Sequence, residues 1–446
     1  MTDQLPLPAG AVEPGGRPVD FGEFVRRRGA AERLVVQPRM GFGDPARMRE
    51  GLLATKLADG ATVGTLTLDS YTRVGDHQAV ETALREGISL NGYPVVNHPA
   101  ATTAAVLDGI RDDTFPVQVR HGSATPLDIF RALGRLRLNA TEGGPVSYCL
   151  PYGRIPLADS VRNWADCCEL YSWLRDEGVE PHLETFGGCM MGQLCPPSQL
   201  VAISLLEALF FARHGIRSLS LSYAQQTDMD QDREAVLALR RLCAELLPTS
   251  NWHIVIYAYM GVYPETYRGA HRLLGRAARL AVTTGAPRLI VKTVAEARRI
   301  PTVTENVLAL EYATAIARAT EPGDIAAAER ADSQTYQEAR ALVDAVLNLH
   351  DDIGQALLAA FRRGYLDVPY CVHPDNAGRA RSHIDADGRL RWAETGNLPL
   401  GSIAERTAVR KITSADLLQD LFHVRMMYDE PGAELDDALV GELARN

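Results

Sequence analysis

The sequence predicts an α/β fold, and within that class a (β/α)8 TIM-type barrel with a smaller α+β C-terminal region. Short runs of β-branched residues alternate with amphipathic helical stretches, which indicates parallel strands whose helical crossovers return over the sheet. About eight such units lie between residues 31 and 320, enough to close a barrel. No glycine-rich phosphate loop follows the first strand, which argues against an open dinucleotide-binding sheet.

Nine segments have the composition of buried strands, one more than the barrel needs. The weakest is residues 145–150, which glycines and prolines crowd on both sides. We therefore expect that segment to be an ordered insertion over the barrel mouth. The nine candidates span residues 33–38, 61–68, 93–98, 116–121, 145–150, 181–186, 218–223, 253–260 and 288–292.

Helical spacing of apolar residues fills the intervals between these strands. The clearest helix is residues 196–214, which begins with prolines, carries a long apolar face and ends before Gly215. The other helical stretches that we infer from spacing are residues 44–60, 77–87, 126–138 and 160–178.

Three regions follow from the change of pattern along the chain. Residues 1–20 are rich in proline and glycine and are predicted to form a flexible N-terminal arm. Residues 21–325 are predicted to form the barrel and to carry the catalytic site. Residues 326–446 are predicted to be a helical and turn-rich region packed on the barrel.

Composition excludes several classes of protein. A net charge of -10 over 446 residues argues against a nucleic-acid partner or an anionic membrane. No signal-like start is present and no apolar run is long enough to span a bilayer. The seven cysteines lack paired spacing, so we expect reduced thiols and a cytoplasmic location. Cys189 and Cys195 are interpreted as small packed residues, and no metal site is predicted.

Three arginines stand where strands are expected to end. In a barrel of this class the carboxyl ends of the strands surround the active site, so Arg39, Arg73 and Arg120 are expected to converge on one mouth. A guanidinium matches a carboxylate with two parallel hydrogen bonds, and three of them suit a small dicarboxylate. The alternative is that each arginine pairs with a structural carboxylate at the rim.

Further polar residues follow in the same half of the chain. Glu142 lies beside two glycines and could receive an ammonium group, and the hydroxyls of Tyr148 and Tyr152 could complete the hydrogen bonding. Near the last strand, Lys292 precedes Glu296 by one turn. A buried strand-end lysine invites a Schiff-base aldolase or lyase hypothesis, and pairing with Glu296 is the quieter alternative.

A series of ordered segments identifies a resemblance to a known family. The chain resembles the large (epsilon) subunit of glutamate mutase, also called methylaspartate mutase, from about residue 31 to residue 420. The resemblance implies a (β/α)8 barrel that performs a radical rearrangement of L-glutamate to L-threo-3-methylaspartate with adenosylcobalamin. The matching segments include TLTLDSYTR, LNGYPVVNH, VQVRHG, NATEGG, VSYCLPY, YMGVYP, LIVKTVAEARRIPT, YLDVPY, NAGR and ETGNLPL.

The same resemblance assigns roles to individual residues. It implies a substrate site in which three arginines hold two carboxylates and an acid meets the amino group, with Glu142, Arg73 and Arg120 as its catalytic members. The implied substrate contacts are Arg39, Arg73, Arg120, His121, Glu142, Tyr148 and Tyr152. The implied cofactor contacts are Gly41, Asn91, Pro151, Tyr263, Lys292, Glu296 and Ile300.

A partner is also implied. The cobalt-ligating histidine of this enzyme class lies in a DxHxxG motif, which these 446 residues lack. The resemblance therefore implies a small cobalamin-binding subunit, with a homodimer of large subunits inside a heterotetramer. Three alternatives stay open: a mutase acting on a glutamate analogue in specialised biosynthesis, a Lys292 Schiff-base enzyme, and a barrel kept only as a structural partner of a cobalamin protein.

Overall fold

The computed structural model describes residues 19–151, 153–187, 194–329, 331–404 and 412–430. It confirms the predicted fold class, because parallel strands form a ring in the order β2-β1-β9-β8-β7-β6-β5-β4-β3. The segments β2 and β3 are separated by Val63 alone, so the ring closes through one interrupted strand. The strands are β1 Val35–Gln37, β2 Ala61–Thr62, β3 Gly64–Thr67, β4 Val117–Arg120, β5 Ala140–Gly143, β6 His182–Thr185, β7 Ser218–Ala224, β8 Trp252–Tyr257 and β9 Arg288–Ile290.

Helices cover the outside of this ring. Helix α1 lies at the opposite end from the mouth, where Phe21, Phe24 and Val25 pack against Val35 and Ala140. The helices through the barrel are α1 Phe21–Glu32, α2 Pro45–Leu57, α3 Ser70–Val74, α4 His77–Glu86, α5 Ala100–Leu107, α6 Leu127–Arg135, α7 Leu157–Ser172, α8 Pro197–Arg213, α9 Met229–Leu246, α10 Tyr267–Thr284 and α11 Val303–Ala319. Short 3-10 turns cover Trp173–Glu177 and Val294–Ala297.

The structure corrects two strand predictions. Residues 93–98 form turns, because Asn97 and His98 both donate backbone bonds to the carbonyl of Pro94. The strand that replaces them is β5, inside the segment NATEGG. This segment lacks β-branched residues except Thr141, so its composition did not mark it as a strand. Residues 145–150 form turns and not a barrel strand, which agrees with their prediction as an ordered insertion.

The chain after the barrel is also ordered for most of its length. Helix α13 buries Leu342, Val343 and Val346 in the core, next to the fully buried face of α8. The described elements here are α12 Ile325–Ala328, α13 Gln334–Leu347, α14 Ile353–Arg363, β10 Arg381–Ile384, β11 Leu390–Glu394 and α15 Ser414–Asp429. The predicted division at residue 325 stays a prediction, and residues 1–18 of the predicted arm lie outside the described residues.

Two absences concern only the part of the chain that the structure describes. None of its helices combines the length and the apolar character that a bilayer crossing requires. Its cysteines are free thiols, while Cys189 lies outside the described residues.

Candidate active site

The barrel mouth receives the three arginines from neighbouring parts of the ring. Arg120 is the last residue of β4, and Arg39 follows β1 by two residues. Arg73 does not end a strand as expected. It lies on α3, where its Nε donates to the carbonyl of Leu68 at 3.1 Å. Asp69 begins that helix by accepting the backbone amides of residues 71 and 72, which brings Arg73 back over the mouth.

The charges of Arg39 and Arg120 both act on Arg73. Burial lowers the pKa of Arg73, and the charges of Arg39 and Arg120 lower it further, while Tyr148 and Glu142 oppose the shift. Arg73 also lies beside the loop that follows Arg120, because a Cβ atom at Gly122 would lie 3.6 Å from Arg73 Cδ. The structure therefore brings the predicted cluster together.

Glu142 is the acid of this cluster and is almost fully buried on β5. Its Oε2 accepts from Arg120 Nη2 at 3.1 Å and also lies 3.1 Å from the Tyr257 hydroxyl. Its Oε1 accepts from the Tyr148 hydroxyl. Glu142 was predicted to meet a ligand ammonium group, and in this structure Arg120 donates to one of its oxygens.

Arg120 stays charged although it is buried. Burial alone would lower its pKa, but Glu142, Tyr257 and Tyr148 together raise the pKa well above its ordinary value. The Arg120 Cζ atom also lies 4.9 Å from the centre of the Tyr257 ring, a cation–π contact. The guanidinium is held between one carboxylate and one aromatic face.

His121 lies behind these charges and is neutral. Burial, followed by the charge of Arg73, lowers the pKa of His121 to about 3. Its Nδ1 accepts from the Ser123 amide at 3.0 Å, and its ring stacks against Trp164. A neutral ring among buried cations avoids adding a further positive charge.

Tyr148 lies in a turn segment that an acidic side chain of helix α8 holds in place. Glu207 of α8 accepts the amides of Val146 at 2.9 Å and Ser147 at 2.8 Å. Burial raises the pKa of Glu207 to about 8. A Cβ atom at Gly144 would lie 2.1 Å from Glu207 Oε1, so any side chain there would displace this carboxyl. Tyr152, the other predicted tyrosine, lies outside the described residues.

A cleft of about 380 Å³ opens beside the arginines. Arg39 links this cleft with the arginine cluster, because it lines the cleft and its charge lowers the pKa of Arg73. A Cβ atom at Gly41 would lie 2.2 Å from the carbonyl oxygen of Thr67, so glycine is required at this edge. The predicted cofactor contacts that line the cleft are Gly41, Asn91, Lys292, Glu296 and Ile300.

Two predicted cofactor residues do not line this cleft as the structure delimits it. The Tyr263 ring lies 4.4 Å from Lys292 Nζ, immediately next to it. Pro151 is exposed at the end of the turn segment that carries Tyr148. Neither position contradicts a role at the mouth, and both roles stay predictions.

Lys292 and Glu296 are not the simple pair that the spacing suggested. Glu296 Oε2 bonds Arg39 Nη1 at 2.8 Å, and its Oε1 accepts the Thr293 amide at 3.1 Å. Lys292 instead faces Tyr263. Burial lowers the pKa of Lys292 to about 8, with Glu296 opposing the shift and Arg39 adding to it.

A polar layer that was not predicted from the sequence lies inside the barrel, below the arginines. Arg288 is fully buried and bonds Glu184, while its Nη1 bonds Gln37 Oε1 at 2.5 Å. Gln118 donates to Glu184 Oε2 at 3.2 Å. The sequence signal for this layer was the alternation of inward and outward side chains along each strand. Each of these polar residues stands at an inward position of an otherwise apolar strand. Among the described residues no group of three or more His, Cys, Asp or Glu side chains could hold a metal ion.

Comparison with known proteins assigns this chain to a family. A family model described as Methylaspartate mutase E chain (MutE) matches residues 18–433. The chain is 31% identical over 426 residues to the glutamate mutase epsilon subunit of Halobacterium salinarum, covering 92% of this chain and 88% of that one. It is 31% identical over 454 residues to that of Haloarcula marismortui, covering 96% and 92%, and 29% identical over 384 residues to that of Escherichia coli O157:H7, covering 82% and 78%. The chain belongs to the methylaspartate mutase E chain family.

Proposed function

We propose that this chain is the catalytic subunit of a glutamate mutase, which rearranges L-glutamate to L-threo-3-methylaspartate. The observation that carries the proposal is the buried Arg120–Glu142 pair at a mouth where Arg73 and Arg39 also converge. The site thus holds several cations and one acid within reach of each other, which matches a ligand with two carboxylates and an ammonium group. The relatives, which are named glutamate mutase epsilon subunits, agree with this proposal.

The arginines bind and orient the substrate. Each charge-assisted hydrogen bond contributes roughly 1.5–3 kcal/mol, so the set can fix both carboxylates in one orientation. Glu142 would accept the ammonium group, and Tyr148 would keep the carboxylate of Glu142 in place. Because Arg120, Glu142 and His121 are almost fully buried, the reacting carbon atoms would be kept from water.

We propose adenosylcobalamin as the cofactor, and the cleft beside Arg39 fits part of it. The glycine at position 41 lets a ligand approach the backbone closely, while Lys292, Asn91 and Glu296 offer hydrogen bonds for hydroxyl or amide groups. The chemistry that the bound cofactor supplies is reversible homolysis of its cobalt–carbon bond. The role of this chain's residues is to place the substrate against that cofactor and exclude water.

We also propose a partner subunit. The chain has no DxHxxG motif to supply a cobalt-ligating histidine, and its relatives are named as epsilon subunits. A small cobalamin-binding subunit would supply that ligand at the barrel mouth. A homodimer of this chain within a heterotetramer is the assembly that we propose.

The test combines this chain with a cobalamin-binding small subunit, adenosylcobalamin and L-glutamate, and detects 3-methylaspartate by chiral chromatography. We expect product only when all four components are present. If the complex assembles and no product forms, the substrate assignment is wrong. A panel of glutamate analogues in the same assay would then identify a mutase with another substrate.

One observation favours a second candidate function, a Schiff-base aldolase or lyase. Lys292 is buried with a pKa lowered to about 8, so a part of it is uncharged near neutral pH. Borohydride added with a keto acid would trap such an adduct on Lys292, and mass spectrometry would detect it. We expect no adduct, because a mutase does not use an amine nucleophile.

A further inference from the structure

Two buried carboxylates meet at one phenol inside the barrel. Glu142 of β5 and Glu184 of β6 are paired in register on adjacent strands. The Tyr257 hydroxyl, from β8, lies 3.1 Å from Glu142 Oε2 and donates to Glu184 Oε1. All three side chains are almost fully buried, which withdraws them from bulk water.

Tyr257 is the hydrogen-bond donor of this group that can change its acceptor. A phenol carries one proton, so it can donate to one carboxylate at a time. Glu184 Oε2 has other donors, namely Arg288, Ser220 and Gln118. Glu142 Oε2 has Arg120 as its donor at 3.1 Å. While Arg120 bonds Glu142, the proton of Tyr257 is available to Glu184.

Substrate binding would change the set of hydrogen-bond donors that reach Glu142. A substrate carboxylate at Arg120 would draw the guanidinium away from Glu142, leaving Oε2 of Glu142 short of a donor in a buried site. The formal charges of Arg73, Arg120 and Arg288 exceed those of Glu142 and Glu184 by one, while Arg39 is paired with Glu296. The site is therefore matched to a ligand with one net negative charge, namely two carboxylates and one ammonium group.

We propose that Tyr257 is a positioning residue for amino-acid recognition. When Arg120 turns to the substrate, the Tyr257 hydroxyl turns its proton from Glu184 to Glu142 and fixes that carboxylate for the ammonium group. Its ring, 4.9 Å from the Arg120 Cζ atom, steadies the same guanidinium. This inference rests on the proposed function, because it takes the ligand to be an amino acid.

The test compares ligands with and without the ammonium group. Isothermal titration would measure dissociation constants for L-glutamate and for glutarate, using this chain assembled with its small subunit. We expect Tyr257→Phe to weaken L-glutamate binding about tenfold, the loss of one hydrogen bond to a charged group, and glutarate binding less than about twofold. Equal weakening of both ligands would mean a general structural effect and would overturn the proposal.

The matched control is Tyr171→Phe. Tyr171 is a buried phenol that donates to the carbonyl of Leu138 at 2.7 Å, away from the acids, so both dissociation constants should stay unchanged. In a second variant, Glu184→Gln, an amide replaces the competing acid, and the preference for L-glutamate over glutarate should persist. Loss of that preference in Glu184→Gln would contradict the proposal that the Tyr257 hydroxyl turns its proton to Glu142.

The outcomes also separate this inference from the proposed function. A wild-type assembly that prefers L-glutamate, with a Tyr257→Phe variant that keeps the same preference, overturns the role of Tyr257 alone. A wild-type assembly that binds neither ligand overturns the assignment of the Arg120–Glu142 pair together with the proposed function.

Discussion

Single side chains at the mouth divide into charged groups that are ready for a ligand and neutral groups that support them. Arg120 stays charged because Glu142 and two phenols surround it, whereas His121 is kept neutral by burial and by Arg73. Both states follow from the neighbours more than from residue type. The two predictions that follow test one member of each group.

Replacing Arg120 by lysine should preserve the fold and sharply lower turnover. One ammonium cannot reproduce a two-pronged guanidinium that bonds Glu142 and rests on Tyr257. We expect kcat/KM to fall by about 10- to 100-fold, the loss of one charge-assisted bond. Arg131→Lys is the control, since Arg131 is partly exposed and pairs with Asp128 three residues away. Near-normal activity of Arg120→Lys would contradict the arginine cluster as the carboxylate site.

His121 should make stability depend on pH. Its folded pKa of about 3 lies below the unfolded value of about 6.5, so unfolding takes up a proton between these values. The contribution is complete above pH 6.5 and is lost as pH falls, at about 1.4 kcal/mol per pH unit. Urea unfolding at pH 6.5 and pH 5 should show a wild-type loss about 2 kcal/mol larger than that of His121→Asn. Parallel losses would mean that His121 is charged in the fold.

At the scale of elements, the turn segment between β5 and α7 depends on a distant helix. Glu207 on α8 holds the amides of Val146 and Ser147, and the segment in turn places Tyr148 against Glu142. Gly144 makes room for this contact. The carboxyl therefore connects the outer layer of the fold to the acid at its centre.

Glu207→Ala should lower activity and stability together. Loss of the oxygen that accepts both amides costs about 1–3 kcal/mol of unfolding free energy and frees Tyr148 to move. Glu207→Gln keeps a carbonyl oxygen for those amides and should retain activity. Because the folded pKa of about 8 lies above the usual carboxyl value, wild-type stability should fall as pH rises from about 4.5 to 8, and the glutamine variant should not share that fall. Thermal unfolding at pH 6 and pH 8 checks the sign.

Periodicity predicted the elements better than it predicted their contacts. The alternation of strand and helix patterns predicted the barrel. Strand β5 was missed because its sequence NATEGG has weak strand propensity. Residues 93–98 were wrongly predicted as a strand because of their two valines. Arg73 reaches the mouth through a capped helix rather than a strand end. Glu184 and Arg288 bond across the ring over 104 positions, a distance that no local pattern encodes.

At the scale of the whole molecule, the described C-terminal segments complete the outer layer of the barrel. Helix α8 is buried along nearly all of its length, with α13 on its outer side. Glu338 of α13 accepts from Ser198 of α8 at 2.6 Å and from the Trp392 indole at 3.1 Å. One buried carboxylate thus joins three segments of the chain.

Truncation after residue 329 should therefore prevent soluble folding. Removing α13 would expose the apolar face of α8 and leave Ser198 without its acceptor. We expect aggregation in size-exclusion chromatography and no cooperative thermal transition. A monomeric fragment that unfolds cooperatively would show that the barrel is complete without this region.

The central claim is that the barrel mouth binds an amino-dicarboxylate between the arginines and Glu142. The most direct measurement is a crystal structure of the assembled complex with L-glutamate. We predict carboxylate oxygens within hydrogen-bonding distance of Arg120 and Arg73 and the ammonium group on Glu142, with the cleft beside Arg39 adjoining the ligand. A ligand bound covalently to Lys292, or bound away from the mouth, would contradict the account.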